Sequence, residues 1–227
     1  MKWETSALSL SNSKMSFLLR RAEKIQRYFS KAVIIHDSLP QEIKYIAGID
    51  VAYSANKAYG AAVVLEYGTM KKIEEKTYSL NMAIPYIPTF LFLRELPPAI
   101  TVARMLRTKP DVFMVEGHGR AHPRRFGLAC HFGLILNIPT IGVAKSLLYG
   151  ESRNVKGSWK PIIDKGEIIG AAVLTRKGSK PMYVSVGHKV SLETAVEIVL
   201  ECSKYRVPEP IRYAHLTAKK AREKFVE

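Results

Sequence analysis

Residues Asp111–Ser146 read DVFMVEGHGRAHPRRFGLACHFGLILNIPTIGVAKS. The stretch opens with an apolar run, Val112 to Val115, that has the pattern of a buried strand. The run stops at Glu116-Gly117-His118-Gly119-Arg120-Ala121-His122-Pro123-Arg124-Arg125, which sets a carboxylate, two imidazoles, three guanidiniums and two glycines in one short loop. A helix-period segment follows from about Phe126 to Leu136. A second apolar strand, Thr140 to Val143, then ends at Lys145-Ser146. An acid closing a buried strand, ahead of a glycine-hinged cationic loop, suggests a site for a metal ion and a phosphate.

Upstream, Ile43 to Tyr53 reads as a long buried strand with Asp50 as its anomaly, since aspartate is depleted in strands and seldom buried without a partner. Gly60 to Tyr67 and Lys71 to Leu80 give two more strands around the turn signal Gly68-Thr69, so the three form an antiparallel meander. Before them, Leu18, Ala22, Ile25, Phe29 and Ala32 recur at helical spacing between basic residues, which predicts an amphipathic helix over about 14–32. Residues 1–13 read as polar and loose. Asn81 to Pro88 is a proline-stiffened connector. A short helix is expected over Thr89 to Leu96, stopped by Pro97-Pro98, with a second over about Ala99 to Arg107. Downstream, strands are expected at Trp159–Ile163, Glu167–Thr175 and Met182–Val186. Ser191 then caps a helix running to Cys202, and Pro208-Glu209-Pro210 precedes a last basic helix to about Phe225.

Composition bounds the partners. Hydrophobic residues make up 47% of the 227, enough for a sizeable core. Lys+Arg 35 against Asp+Glu 20 gives a net charge of +15 and an isoelectric point near 9.8, which favours a polyanionic partner, nucleic acid first. Two cysteines without metal-ligand spacing fit buried thiols in a reducing compartment. No secretory leader or bilayer-length apolar run is visible. The expectation is a soluble, cytoplasmic, single-domain protein with no membrane partner.

Other motifs fail on inspection. Gly117-His118-Gly119 misses the dinucleotide fingerprint, because His122 stands at the third glycine position and Glu116 would repel a pyrophosphate. Gly142 to Ser146 lacks the glycine a P-loop needs before its lysine. His118 and His122 have metalloprotease spacing without the glutamate that motif requires.

What survives is an acid in the first strand and another closing the fourth. An α/β fold with a ribonuclease H-like mixed sheet flanked by helices sets those strands side by side. Asp50 and Glu116 would then meet, and two adjacent carboxylates repel unless a cation such as Mg²⁺ or Mn²⁺ lies between them.

On these residues the chain resembles the endonuclease V family. The matching segments are IAGIDVAYS with Asp50, PYIPTFLFLRE with Tyr86 and Glu95, VEGHGRAHPRR with Glu116, His122 and Arg124, IPTIGVAKS with Lys145, and PIRYAHLTAKK with His215. The resemblance implies a Mg²⁺-dependent nuclease, with Mn²⁺ as substitute, that nicks DNA at deoxyinosine and other deaminated bases. It would cut the second phosphodiester 3′ to the lesion and leave 3′-hydroxyl and 5′-phosphate ends. It also implies roles. Asp50 and Glu116 bind metal, Glu95 and His215 are further catalytic residues, and Lys145 faces the phosphate or balances the carboxylates. Tyr86 belongs to a strand-parting wedge, the Gly117 backbone walls the base pocket, and His122 and Arg124 grip the strand near the cut.

The chain departs from the family pattern twice. Glu116 stands where the family usually has aspartate, and Thr89 where it usually has glycine. The alternatives are an inosine-specific endoribonuclease on the same fold and a lesion-binding protein whose catalysis Glu116 has weakened. The chain is taken as a monomer.

Overall fold

A computed structural model describes residues 12–54, 56–82, 84–152 and 157–224. Most of the segment expected to be loose, 1–11, lies outside them, as does the expected helix end at Phe225. Within the described residues the strands are β1 (Tyr45–Ser54), β2 (Lys57–Glu66), β3 (Lys72–Asn81), β4 (Val112–Glu116), β5 (Thr140–Ala144), β6 (Trp159–Asp164), β7 (Glu167–Val173) and β8 (Met182–His188). The α-helices are α1 (Asn12–Phe29), α2 (Phe92–Arg104), α3 (Leu128–Leu136), α4 (Leu192–Glu201) and α5 (Glu209–Glu223). All eight strands join one mixed sheet in the order β3-β2-β1-β4-β5-β8-β7-β6. β1–β2–β3 is the expected antiparallel meander. β1, β4 and β5 run parallel through the middle.

Side-chain alternation along the strands sorts the core into two layers. Ile46 of β1 and Val112 and Met114 of β4 pack with Ile211 and Ala214 of α5 and with Val196 and Val199 of α4. Ala47 and Ile49, with Phe113 and Val115, pack on the other face against Val102 of α2 and Phe132 of α3. Asp50 and Glu116 continue the first of these sets. The acids therefore share the sheet face that α5 covers.

Two glycines let helices approach the sheet directly. A Cβ on Gly48 would collide with the Pro210 carbonyl at the start of α5. A Cβ on Gly60 would lie 2.9 Å from the Pro98 carbonyl of α2. The second contact bears on a correction. Pro97 and Pro98 do not divide two helices; both lie inside the continuous helix α2. Proline φ is compatible with a helix, and the penalty is the lost N–H bond and a clash with the preceding turn. Here Pro98 is buried over Gly60, and the Thr101 hydroxyl donates to the Pro97 carbonyl at 2.9 Å, so packing offsets the lost ladder bonds. Likewise Glu209-Pro210 opens α5 rather than preceding it, because proline costs nothing in a first turn where N–H groups lack partners anyway. Ser191 caps α4 as expected, its Oγ accepting from the Thr194 N–H at 3.2 Å.

Candidate active site

The acids meet because of register. Ile49 pairs with Val115 in the parallel β1–β4 ladder, so one step further Asp50 lies beside Glu116, the last residue of β4. Lys145 follows directly on β5, next in the sheet. Three parallel strands thus deliver Asp50, Glu116 and Lys145 at their carboxyl side, where open α/β sheets leave a crevice. α5 adds His215 from above. With Pro210 seated on Gly48, the helix brings His215 over Asp50, two residues along the same strand face.

The contacts are short. Lys145 Nζ lies 2.6 Å from Glu116 Oε1, and His215 Nδ1 donates to Asp50 Oδ2 at 2.7 Å. Asp50 Oδ1 accepts from the Val51 N–H at 2.8 Å. Glu116 Oε2 is buried and has no hydrogen-bond partner among the described residues. Burial and the Asp50 charge hold the Glu116 carboxyl above its ordinary range, against the opposing pull of Lys145. The hydrogen bond to Asp50 raises the His215 imidazole. Glu95, in the first turn of α2, is raised well above the usual carboxylate range by desolvation and by the charges of Asp50 and Glu116. So Asp50, Glu95, Glu116, Lys145 and His215 form one electrostatic cluster.

Ligating atoms of Asp50, Glu116 and His215 all lie within 4.8 Å of one another. An orphaned buried carboxylate oxygen is costly, and a hard cation with oxygen ligands is the partner it fits. Asp50 and Glu116 supply that donor set. With its Nδ1 proton committed to Asp50, His215 orients this carboxylate.

These groups line a cavity of about 690 Å³ that also takes in Tyr86, Gly117, His118, His122 and Glu95. Tyr86 is 60% exposed at its rim. Gly117 has φ +145°, a conformation that favours glycine, so its bare backbone forms wall. His122 is buried; its Nδ1 accepts from the Arg124 N–H at 3.2 Å, leaving Nε2–H to donate to the Thr89 carbonyl at 3.0 Å. Arg124 donates to Thr89 and to Gln26. The remaining cations of the loop are also engaged: Arg120 with Glu167, and Arg125 with Asp164 and Glu167. The guanidiniums that looked in sequence like a phosphate grip each have protein partners.

Sequence reasoning assigned no role to Gln26, to His118 or to the Arg94–Tyr53 pair. Gln26 follows Ala22 by four residues, a polar group on the buried stripe of α1, and that position was a legible signal. The Arg94 guanidinium lies over the Tyr53 ring, 4.1 Å from its centroid; nothing in the spacing announced it.

The basic charge, the mixed sheet and the acidic cleft describe a nuclease, and comparison with known proteins makes this chain an endonuclease. A family model for Endonuclease V matches residues 27–216, and the chain belongs to that family. It is 44% identical over 205 residues to Endonuclease V of Thermofilum pendens, covering 89% of this chain and 88% of that one. To that of Trichormus variabilis it is 46% identical over 202 residues, covering 86% and 91%. Among solved structures it is similar to Streptomyces avermitilis Endonuclease V, with TM-score 0.85, 34% identity, and 92% and 94% of the two chains covered. It is equally similar to Ciona intestinalis Endonuclease V in complex with a 24mer DNA containing an inosine followed by a ribo-adenosine, with TM-score 0.84, 34% identity, and 92% and 99% covered.

Proposed function

We propose that this endonuclease repairs deaminated DNA, recognising deoxyinosine and hydrolysing the second phosphodiester bond 3′ to it, with Mg²⁺ as cofactor and Mn²⁺ as substitute. The observation that carries the reading is the partnerless Glu116 Oε2 beside Asp50, in a cavity rimmed by an exposed tyrosine. The reading follows a ribonuclease H-like arrangement of acids on neighbouring strands. Support for the lesion comes from the Ciona intestinalis relative, whose bound DNA contains an inosine.

Asp50 and Glu116 would hold the metal, with His215 fixing the Asp50 carboxylate. When bound, a divalent ion would supply charge neutralisation at the phosphate and help activate water. Lys145 offers its ammonium to the phosphate once the Glu116 charge is otherwise balanced. Glu95, which readily keeps a proton, positions the attacking water. Tyr86 enters the duplex, and the extruded base rests against the Gly117 backbone; an unstable inosine pair is easier to open than a normal one. His122 and Arg124 act near the cut, held against the segment that follows Tyr86.

A second reading is an endoribonuclease acting on inosine-containing RNA, favoured by the ribo-adenosine that follows the inosine in the Ciona complex. End-labelled DNA and RNA of the same sequence, each with one inosine, test both readings. The DNA strand is expected to break one nucleotide beyond the lesion's 3′ neighbouring bond, leaving a 3′-hydroxyl. An alkali-labile abasic site without a nick would replace the proposal with base excision, and exclusive cutting of RNA would favour the second reading.

A further inference from the structure

We propose that Gln26, on the N-terminal helix α1, is a positioning residue that locks the strand-parting segment into its working shape through Thr89 before DNA arrives. The inference rests on the wedge role of Tyr86 in the reading above, and it assigns that role a mechanical support.

Thr89 has φ +67°. For a β-branched residue this left-handed conformation is a strained outlier, kept only where the surroundings over-determine it. They do so here. The Thr89 carbonyl receives Gln26 Nε2 at 3.2 Å, His122 Nε2 at 3.0 Å and Arg124 Nη2 at 2.9 Å, three donors on an oxygen with two lone pairs. Arg124 Nη2 also reaches Thr89 Oγ1 at 2.6 Å, and its guanidinium lies over the Phe90 ring, 4.3 Å from the centroid. Tyr86 stands three residues before this clamp.

Gln26 is what joins the clamp to the rest of the molecule. It has no exposure. Its Oε1 accepts from Arg124 Nε at 2.6 Å, and Nε2 donates to the Phe126 carbonyl at 3.0 Å as well as to Thr89. One amide therefore ties α1, the Thr89 segment and the loop after β4, and the two carbonyls on one side and the guanidinium on the other settle its orientation. Packing alone does not call for glutamine here. Among the described residues of α1 only Ala22 and Gln26 are buried, and an apolar side chain would anchor the helix without burying an amide.

A wedge that opens paired bases has to meet an unstacking cost of a few kcal/mol. A loose segment would add its own ordering entropy at that moment, whereas one already fixed by folding would not. The clamp thus matters for duplex DNA, where strands must be parted, and much less for a single strand.

Gln26→Met keeps the volume and removes the donors. Gln26→Glu keeps the acceptor for Arg124 but cannot donate to Thr89. Both are measured with the full chain on one deoxyinosine strand, alone and annealed to its complement, with thermal unfolding recorded in parallel. We expect roughly a tenfold or greater loss of kcat/KM on the duplex, the scale of one or two lost buried hydrogen bonds, and less than about a twofold change on the single strand. Strand opening is read separately in EDTA, from 2-aminopurine fluorescence beside the lesion, and is expected to fall in both variants. Equal losses on the two substrates, or duplex cutting and opening unchanged in a folded variant, would overturn the inference. If the parent protein cuts neither substrate, the endonuclease reading fails by itself, and the opening assay still decides the role of Gln26.

Discussion

His215 of α5 and Asp50 of β1 are joined by a 2.7 Å hydrogen bond, Nδ1 to Oδ2, although 165 residues separate them. The bond fixes the Asp50 carboxylate, while the neighbouring Glu116 Oε2 has no hydrogen-bond partner among the described residues. One acid is thereby oriented and the other left for a cation.

This arrangement makes metal affinity depend on pH. Glu95 and Glu116 are both raised, by desolvation first and by neighbouring carboxylates second, so in the metal-free protein they keep protons to higher pH than free carboxylates. A cation ligated by Glu116 has to displace the proton on that carboxyl. Affinity for Mg²⁺ is therefore expected to rise as pH rises from 5 to 8, with proton release visible as a buffer-dependent calorimetric heat. A pH-independent affinity would remove the acidic cluster from the metal site.

Substitutions at Glu116 separate charge from reach. Glu116→Gln keeps the shape but loses the charge that balances Lys145 Nζ at 2.6 Å, and it is expected to lower nicking by about 10²-fold or more, the scale of a lost electrostatic group at a reacting centre. Glu116→Asp keeps the charge and draws it back by one methylene. It is expected to retain metal binding and to stay within about tenfold of the parent rate. A dead aspartate variant would mean that the neighbouring residues require the longer arm.

Three histidines limit acid stability. Burial pushes His118 and His122 down to about 4 and His131 down to about 3; the His131 ring lies stacked on Phe92, centroids 3.8 Å apart. All three are mainly neutral at pH 7 in folded and unfolded chains. Below about 6.5 the unfolded chain takes up protons that the fold refuses, so stability falls with pH down to the folded values. At pH 5 each contributes a loss of about 2 kcal/mol. Urea unfolding at pH 7 and pH 5 reads this loss, and His131→Phe is expected to remove about 2 kcal/mol of it, roughly a third of the histidine share. An unchanged pH dependence in that variant would place the acid lability elsewhere.

The strands and the acid pair were legible because each is a local pattern with one topological solution. Buried runs carrying Asp50 and Glu116 have to lie adjacent for the carboxylates to share a cation, and the β1–β4 register does this. Glu95, Lys145 and His215 required the family resemblance, since no spacing rule links a helix turn, a strand end and a distant helix. Pro97-Pro98 misled, because proline's local signal is a helix break and only the tertiary contact with Gly60 reverses it. Arg120, Arg124 and Arg125 were legible only in part. Their charge was readable, but their partners on β6, β7 and α1 are set by the folded sheet. Thr89, noted as a departure from glycine, sits at φ +67°, a left-handed conformation that glycine takes without strain.

The central claim is that Asp50 and Glu116 form a metal site for cutting DNA at a deaminated base. Its most direct test is nicking of an end-labelled duplex with one deoxyinosine, in Mg²⁺ or EDTA, by the parent protein and by Asp50→Ala. The account predicts a nick in Mg²⁺, none in EDTA, and a loss on the order of 10³-fold in the variant. Cutting that persists in EDTA and survives Asp50→Ala would contradict it.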